Sequence, residues 1–141
     1  MGTYDTRGVA IAYAASKYNP VGEKQAEHEK AKAAGDTARM HELEQWGEKH
    51  QRQLHRQGFG RVPVGDLLEP VKDRLAAVAA KAGVEVIASS CDYSSGNVET
   101  IDITLQLVAL YDPSEQTLRY AKEITHQPVV DLDALESARD D

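Results

Sequence analysis

One stripe of residues constrains the fold of this 141-residue chain more than any other feature. It lies in residues 37–57, and its members recur at steps of three and four positions, which is the spacing of a coiled-coil seam. The members are Met40, Leu43, Gly47, His50 and Leu54. The segment is therefore predicted to be a helix that packs along a second helix. Gly47 would allow the partner to approach closely, and Trp46 would cover one side of the seam.

The partner helix is predicted in the polar stretch "GEKQAEHEKAKAA", which follows the helix breaker Pro20. Gly35 has the position of the residue that ends this helix, and Asp36 that of the N-cap of the next one. Such a short link folds two helices into an antiparallel hairpin. The residues that the partner offers to the seam are few: Tyr18, Ala26 and Ala33. Because so little apolar surface does not hold two helices together in water, residues 21–61 are predicted to be an arm that projects from a body.

The body is predicted to combine residues 1–20 and 62–127 within a single domain. Short strands are indicated at residues 3–5, 84–88 and 98–103. A helix that is apolar almost all round follows the first strand, with Thr6 as its cap. Another helix begins at the cap Asp66 and ends at Gly83, just before the second strand. The predicted fold class is therefore α+β and mostly helical, a small β body that carries the helical hairpin.

Two further helices are predicted to close the body. Residues 104–111 form a short apolar one, and "DPSE" places Asp112 at the N-cap of another that runs to about residue 125. The remaining residues, 128–141, are rich in acids and are expected to be a frayed tail.

The composition argues against several classes of partner. The net charge is −7 at pH 7, whereas proteins that bind nucleic acids or anionic membranes need a basic surface. No apolar run approaches the roughly 20 residues that span a bilayer, so membrane insertion is not predicted. The single Cys91 excludes an internal disulfide and a thiolate cluster. One Trp and one Phe leave little bulk for a core, which favours an elongated or oligomeric molecule.

Three stretches resemble the Skp/OmpH-like periplasmic chaperones: "TYDTRGVAIAY" as a strand that enters a helix, "LAAVAAKAGVEVIASS" as a returning helix and strand, and "ETIDITLQLVALY" as a strand and closing helix. In that family a short strand leads into a long helical hairpin, and the strands assemble into a trimeric β body. The resemblance implies a homotrimer that binds unfolded or other proteins. This chain departs from the family in its shorter hairpin, its acidic charge, and an additional helix and tail after Tyr111.

The subunit interface is predicted along the strands, because the edges of so small a sheet must be covered or paired. Its residues are Tyr4, Val84, Val86, Ile101 and Ile103. The resemblance also implies a periplasmic or exported protein if a native leader has been removed, and a cytoplasmic one is expected otherwise. The apolar residues 9–15 are not interpreted as a leader, because no basic region precedes them.

Four histidines lie on the predicted arm: His28, His41, His50 and His55. A helical zinc pair needs ligands three or four positions apart, but His50 and His55 are separated by roughly 140° around a helix. Only His28 and His50 could meet across the hairpin, and two ligands make a poor site. No metal and no cofactor are predicted, and His50 is interpreted as a polar seam residue that sets the register.

The stretch "KHQRQLHRQGFGR" ends the arm with a basic run that contains no acid. The first interpretation is a solvated helix terminus, where cations complement the helix dipole. The second interpretation is a partner-binding surface. Its candidate residues are Trp46, Lys49, Arg52, Arg56 and Arg61.

Two functions remain open. The first is a non-enzymatic protein-binding module, chaperone-like or scaffold, that uses its arms and body surface. The second is a small ligand-binding protein or enzyme that uses the loop 89–97 with Cys91, Asp92 and His126. No catalytic motif such as G-x-S-x-G or H-E-x-x-H occurs, so the first function, without catalytic residues, is the prediction. A pocket that joins the three named residues would favour the second.

Overall fold

The computed structural model describes residues 1–139, with side chains as far as residue 135. The protein is mostly helical and has one small parallel sheet. The sheet consists of β1 (Gly2–Thr3), β2 (Ile87–Ala88) and β3 (Ile101–Asp102), in the order β2-β1-β3. Gly2 pairs with Ile87 on one side and with Ile101 on the other. The predicted α+β class is confirmed.

Each strand is shorter than predicted, because helix caps use the neighbouring residues. Asp5 is the N-cap of the helix after β1 and accepts a hydrogen bond from the backbone N–H of Arg7 at 3.0 Å. Val84 donates its N–H to the carbonyl of Ala79 at 2.9 Å, which closes the helix before β2. Ile103 is the N-cap of the helix after β3. The N–H groups of Asp5 and Val84 are therefore lost to the strand ladder, whereas Ile103 still donates its N–H to the carbonyl of Thr3 at 2.8 Å.

The core is built around α1 (Thr6–Ala14), in which Val9, Ala10 and Ala12 are at most 2% exposed. The buried helix predicted after the first strand is thus confirmed, although its N-cap is Asp5 and not Thr6. The largest fully buried apolar side chains come from four parts of the chain: Val9, Val64, Val71, Ile103, Leu107 and Val108.

Helices α2 (Val21–Ala33) and α3 (Thr37–Phe59) lie against each other. Gly35 has a left-handed φ of 69°, and Asp36 accepts from the backbone N–H of Arg39 at 3.1 Å, as the sequence predicts. Helix α3 also packs against α1, and its last turns bury Gln57 completely. The end of the predicted arm therefore belongs to the core.

The helix predicted from Asp66 to Gly83 is broken into three pieces: α4 (Gly65–Leu68), a 3-10 segment (Glu69–Arg74) and α5 (Leu75–Ala82). Asp66 is not the N-cap; its carboxylate accepts a hydrogen bond from the Gln57 side chain at 2.9 Å. The predicted end at Gly83 is confirmed by its φ of 72°.

The apolar face predicted for this region divides between its pieces. Leu67 and Val71 lie in the core. No residue of α5 is buried, although its sequence, LAAVAAKA, is almost entirely apolar. The single chain therefore leaves α5 incompletely covered.

Two of the helices that follow β3 contact α1: α6 (Thr104–Ala109) and α7 (Glu115–Ile124). Helix α7 is capped by Ser114, which accepts from the backbone N–H of Thr117 at 3.1 Å. Asp112, the predicted cap, has a φ of 52° in the left-handed region and precedes the helix instead.

The tail that was expected to fray contains α8 (Leu132–Arg139). The side chain of Asp131 accepts from the backbone N–H of Asp133 at 2.8 Å and so starts the helix. Val130 donates to the carbonyl of Phe59 at 3.0 Å, and Leu132 packs closely on Gly60. These contacts fix the start of the tail against the end of α3; its residues 140 and 141 lie outside the described residues. Within residues 1–139, no helix has both the length and the apolar character that a bilayer span requires.

Candidate functional site

A cleft of about 570 Å³, here named the α2–α3 cleft, lies between these two helices. Of the predicted seam residues, Leu43, Gly47, His50 and Leu54 line it. Leu43 is buried, and the others, like Met40, are buried in part. The spacing of the stripe therefore predicted the inner face of α3 correctly.

Trp46 gives the cleft its aromatic surface. Its indole lies nearly parallel to the His50 imidazole, with the ring centroids 4.5 Å apart and the planes inclined by 15°. The Lys24 ammonium lies 5.7 Å from the centroid of the indole, within the range of a cation–π contact. Because the Trp46 side chain is only half-buried, part of the ring is accessible to a molecule in the cleft.

His50 is oriented by Asn19. The imidazole Nε2 lies 2.8 Å from the Asn19 side-chain oxygen, which also accepts from the backbone N–H of Val21 at 3.2 Å. Since that oxygen has only acceptor capacity, His50 is assigned the tautomer in which Nε2 carries the proton. Burial lowers the pKa of His50 below its ordinary value. The imidazole therefore stays neutral at neutral pH.

The two histidines considered for a metal bind different partners. The ring of His28 lies 3.1 Å from a carboxylate oxygen of Glu44, whereas His50 contacts Asn19. Within the part of the chain that the structure describes, no three His, Cys, Asp or Glu side chains are grouped as a metal would require.

The surface that α2 turns toward α3 differs from the prediction. Ala31 is 6% exposed, whereas Ala26 and Ala33 face solvent. The link fixes this register, because Asp36 donates its N–H to the carbonyl of Ala31 at 2.9 Å. Polar residues fill the rest of the face, where Glu27 pairs with Arg39 at 2.7 Å.

The five residues predicted to bind a partner do not form one patch. Trp46 lines the α2–α3 cleft, while Lys49 and Arg52 are exposed on the same helix. Arg56 is half-buried. Arg61 lies beyond α3 and lines a separate cleft at the end of the sheet. Arg61 thus lies apart from the other four, which share α3, and the partner-binding role of all five stays a prediction.

Asn19 and Lys24 are among the residues of the cleft that sequence reasoning missed. Asn19 had a signal, because an Asn-Pro pair favours a turn and its side chain holds the turn before α2. Lys24 had none, since its contact with Trp46 depends on how the two helices are placed.

The five residues predicted to form the subunit interface differ in their exposure. Ile103 is fully buried and Val84 is 9% exposed, so both belong to the core of the single chain. Tyr4 and Ile101 are half-buried, and Val86 is 54% exposed. Only the last three offer surface to a second copy.

The loop 89–97 is exposed throughout. The thiol of Cys91 donates to the carbonyl of Tyr93 at 3.1 Å, and Asp92 and His126 face solvent. Neither the α2–α3 cleft nor the cleft at the end of the sheet is lined by Cys91, Asp92 or His126. The structure therefore does not bring these three residues together in either cleft.

Comparisons with protein-family models, with curated proteins and with solved structures find no match for this chain.

Proposed function

We propose that the protein is a non-enzymatic, chaperone-like or scaffold module that assembles with copies of itself and binds segments of other proteins. The observation that carries the proposal is the half-buried indole of Trp46 in the α2–α3 cleft, with Lys49 and Arg52 exposed on the same helix. Partly exposed aromatic side chains are typical anchors of protein interfaces.

The cross-helix contacts support a hairpin arm of the Skp/OmpH-like kind. As the residue number rises before and along α2, the number of its partner on α3 falls, which is the order of antiparallel helices. The pairs that follow this order are Asn19 with His50, Lys24 with Trp46, and His28 with Glu44, and the long Arg39 side chain reaches back to Glu27.

The charge beside the cleft indicates the kind of segment that binds. Apolar side chains would enter the cleft and displace water from Leu43, Trp46 and Leu54. Lys49 and Arg52 would attract carboxylates that flank those side chains. The preferred client is therefore a segment with apolar residues next to acidic ones.

Self-association is supported by apolar surface that one chain leaves uncovered. Val86, Tyr93 and Val98, near the two outer strands, are 54%, 83% and 56% exposed. Helix α5 has no buried residue. Covering this surface and the outer edges of β2 and β3 with other copies removes apolar area from water. A trimer is the assembly that the Skp/OmpH-like resemblance implies.

The fluorescence of Trp46, the only tryptophan of the chain, tests the binding proposal. The probe is a Trp-free synthetic peptide that alternates Leu with Asp, and the comparison peptide replaces each Asp with Ser. Burial of the indole by the acidic peptide is expected to shift its emission to shorter wavelength and to saturate. The Ser peptide is expected to bind several-fold more weakly.

Matched charge variants provide the control. The double variant Lys49→Gln with Arg52→Gln should weaken the binding of the acidic peptide by about tenfold. The affinity for the Ser peptide should not change. Lys72→Gln with Lys122→Gln, which removes equal charge from exposed positions elsewhere, should change neither. An emission that does not respond to either peptide would overturn the proposal.

A further inference from the structure

A second cleft, here named the sheet-end cleft, lies where β1 and β2 end. The two strands are parallel neighbours, so the residues that follow them meet at the same edge of the sheet. These residues are Tyr4, Asp5 and Thr6 after β1, and Ser89 and Ser90 after β2. Arg61, Val62 and Pro63 complete a space of about 460 Å³, which is the size of a small-molecule site. The sheet-end cleft shares no lining residue with the α2–α3 cleft.

Thr6 has an unused hydroxyl in this cleft. The residue is only 8% exposed, and among the described residues its hydroxyl makes no hydrogen bond. The hydroxyl oxygen is not itself sealed from solvent, so the opening of the cleft reaches it. Because Thr6 lines the sheet-end cleft, a molecule in the cleft is the available partner. Thr6 is also the first residue of α1, where the helix dipole favours negative charge.

The charge of Asp5 is already matched. Its carboxylate accepts from Arg7 Nε at 3.0 Å and from Arg7 Nη2 at 2.7 Å. Burial alone would raise the pKa of Asp5, but these bonds and the nearby charge of Arg61 outweigh it and hold the pKa below its ordinary value. The Asp5 carboxylate is therefore ionised and already paired with Arg7, so it is not a free ligand for a cation in the cleft.

Arg61 supplies the remaining charge. Its side chain is exposed, and within the described part of the chain it forms no ion pair or hydrogen bond. One guanidinium, the Thr6 hydroxyl and the exposed hydroxyls of Ser89 and Ser90 thus surround the cleft as hydrogen-bond donors. Such a donor set is suited to an oxyanion.

We propose that the sheet-end cleft binds a small molecule with an oxyanion head group, a phosphate or a carboxylate. Arg61 pairs with the head group, and Thr6, Ser89 and Ser90 donate hydrogen bonds to it. The body of the ligand lies against Tyr4, Val62 and Pro63. The site does not depend on the protein-binding function proposed for the α2–α3 cleft, so either can fail alone.

Phenyl phosphate and benzoate, added separately at constant ionic strength, test the proposal and distinguish the two head groups. The readout is the amide spectrum of the ¹⁵N-labelled full chain, up to about 20 mM probe, since a millimolar dissociation constant is expected for so few contacts. Saturating shifts are expected at Thr6, Arg61, Ser89 and Ser90. The probe that saturates at the lower concentration identifies the preferred head group.

Three variants decide whether the binding is specific. Arg61→Gln should weaken binding about tenfold or more, because it removes the charge-assisted bonds. Thr6→Val keeps the shape of the side chain, and the fold should stay intact because the Thr6 hydroxyl makes no internal hydrogen bond. Loss of that hydroxyl should weaken the binding of the probe several-fold. Lys72→Gln removes equal charge from an exposed position outside both clefts and should leave binding unchanged. Shifts that fail to saturate with both probes, or that are equal in the Arg61→Gln and Lys72→Gln variants, would overturn the proposal.

Discussion

The imidazole of His50 lies flat against the indole of Trp46, with 4.5 Å between the ring centroids. The two residues are four positions apart on α3, so one helical turn brings their side chains onto the same surface. The stack and the bond from His50 to Asn19 at 2.8 Å link the α2–α3 cleft to the turn before α2. The protonation state of His50 therefore affects the cleft directly.

The first prediction concerns pH. Burial lowers the pKa of His50 in the folded state, so unfolding takes up a proton and the free energy of unfolding falls as the pH drops through about 6.5. His50→Gln should reduce this loss of stability, whereas His41→Gln, at an exposed position, should not. Denaturant unfolding of the three proteins between pH 7.5 and 5.5 measures it. Equal pH slopes in all three would contradict the prediction.

The second prediction concerns the independence of α2 and the first half of α3. Leu43 is 6% exposed between the helices, so Leu43→Asp buries an unpaired charge and should cost about 3 kcal/mol or more locally. Hydrogen exchange should show lost protection in residues 21–50 and retained protection in α1 and α6. Gln45→Asp, on the exposed side of the same helix, is the control. A single transition that shifts as a whole would show that the two parts unfold together.

The third prediction concerns assembly. Sedimentation at micromolar concentration should give three times the 15.4 kDa of one chain. Val86→Asp should shift the protein toward the monomer, because a charge would replace exposed apolar surface beside β2. Tyr120→Ser, at a position that is 51% exposed on α7, should leave the mass unchanged. A well-folded monomer of the unmodified chain would refute the trimer and weaken the chaperone-like proposal.

The fourth prediction concerns the ion pair at the start of α1. Asp5→Asn leaves Arg7, which is 3% exposed, without its counter-charge and should destabilise the fold by about 3 kcal/mol. Since the pKa of Asp5 is held below its ordinary value, the stabilisation is present at neutral pH and is lost as the pH falls below about 4. Thermal unfolding measures both effects. Glu42→Gln, which breaks an exposed pair with Arg39, should change stability by about 1 kcal/mol at most.

Local signals in the sequence predicted local structure well. Gly35, Asp36 and Gly83 ended or began helices as expected, because each acts through its own backbone or the nearest N–H. The sequence did not predict which of two neighbouring residues caps a helix. Asp5 caps α1 in place of Thr6 because its carboxylate also binds the Arg7 side chain, a contact that spacing alone does not reveal.

Long-range pairing was the part that sequence could not supply. The strands were found, but not their parallel order around β1, and that order is what joins Thr6 to Ser89 in the sheet-end cleft. Its acidic composition predicted that the tail would fray, but Leu132 packs closely on Gly60. In each case the deciding contact joins residues far apart along the chain.

The central position of β1 sets an order of folding during synthesis. One partner of Gly2 is Ile101, which is made about 99 residues later, so at 5–20 residues per second the strand waits roughly 5 to 20 s for it. Helices α2 and α3 contact each other across short sequence separations and complete their contacts much earlier. In the nascent chain, α1 therefore has α3 as a partner before α6 and α7 have been made, and β1 completes its sheet only after Ile101 has emerged.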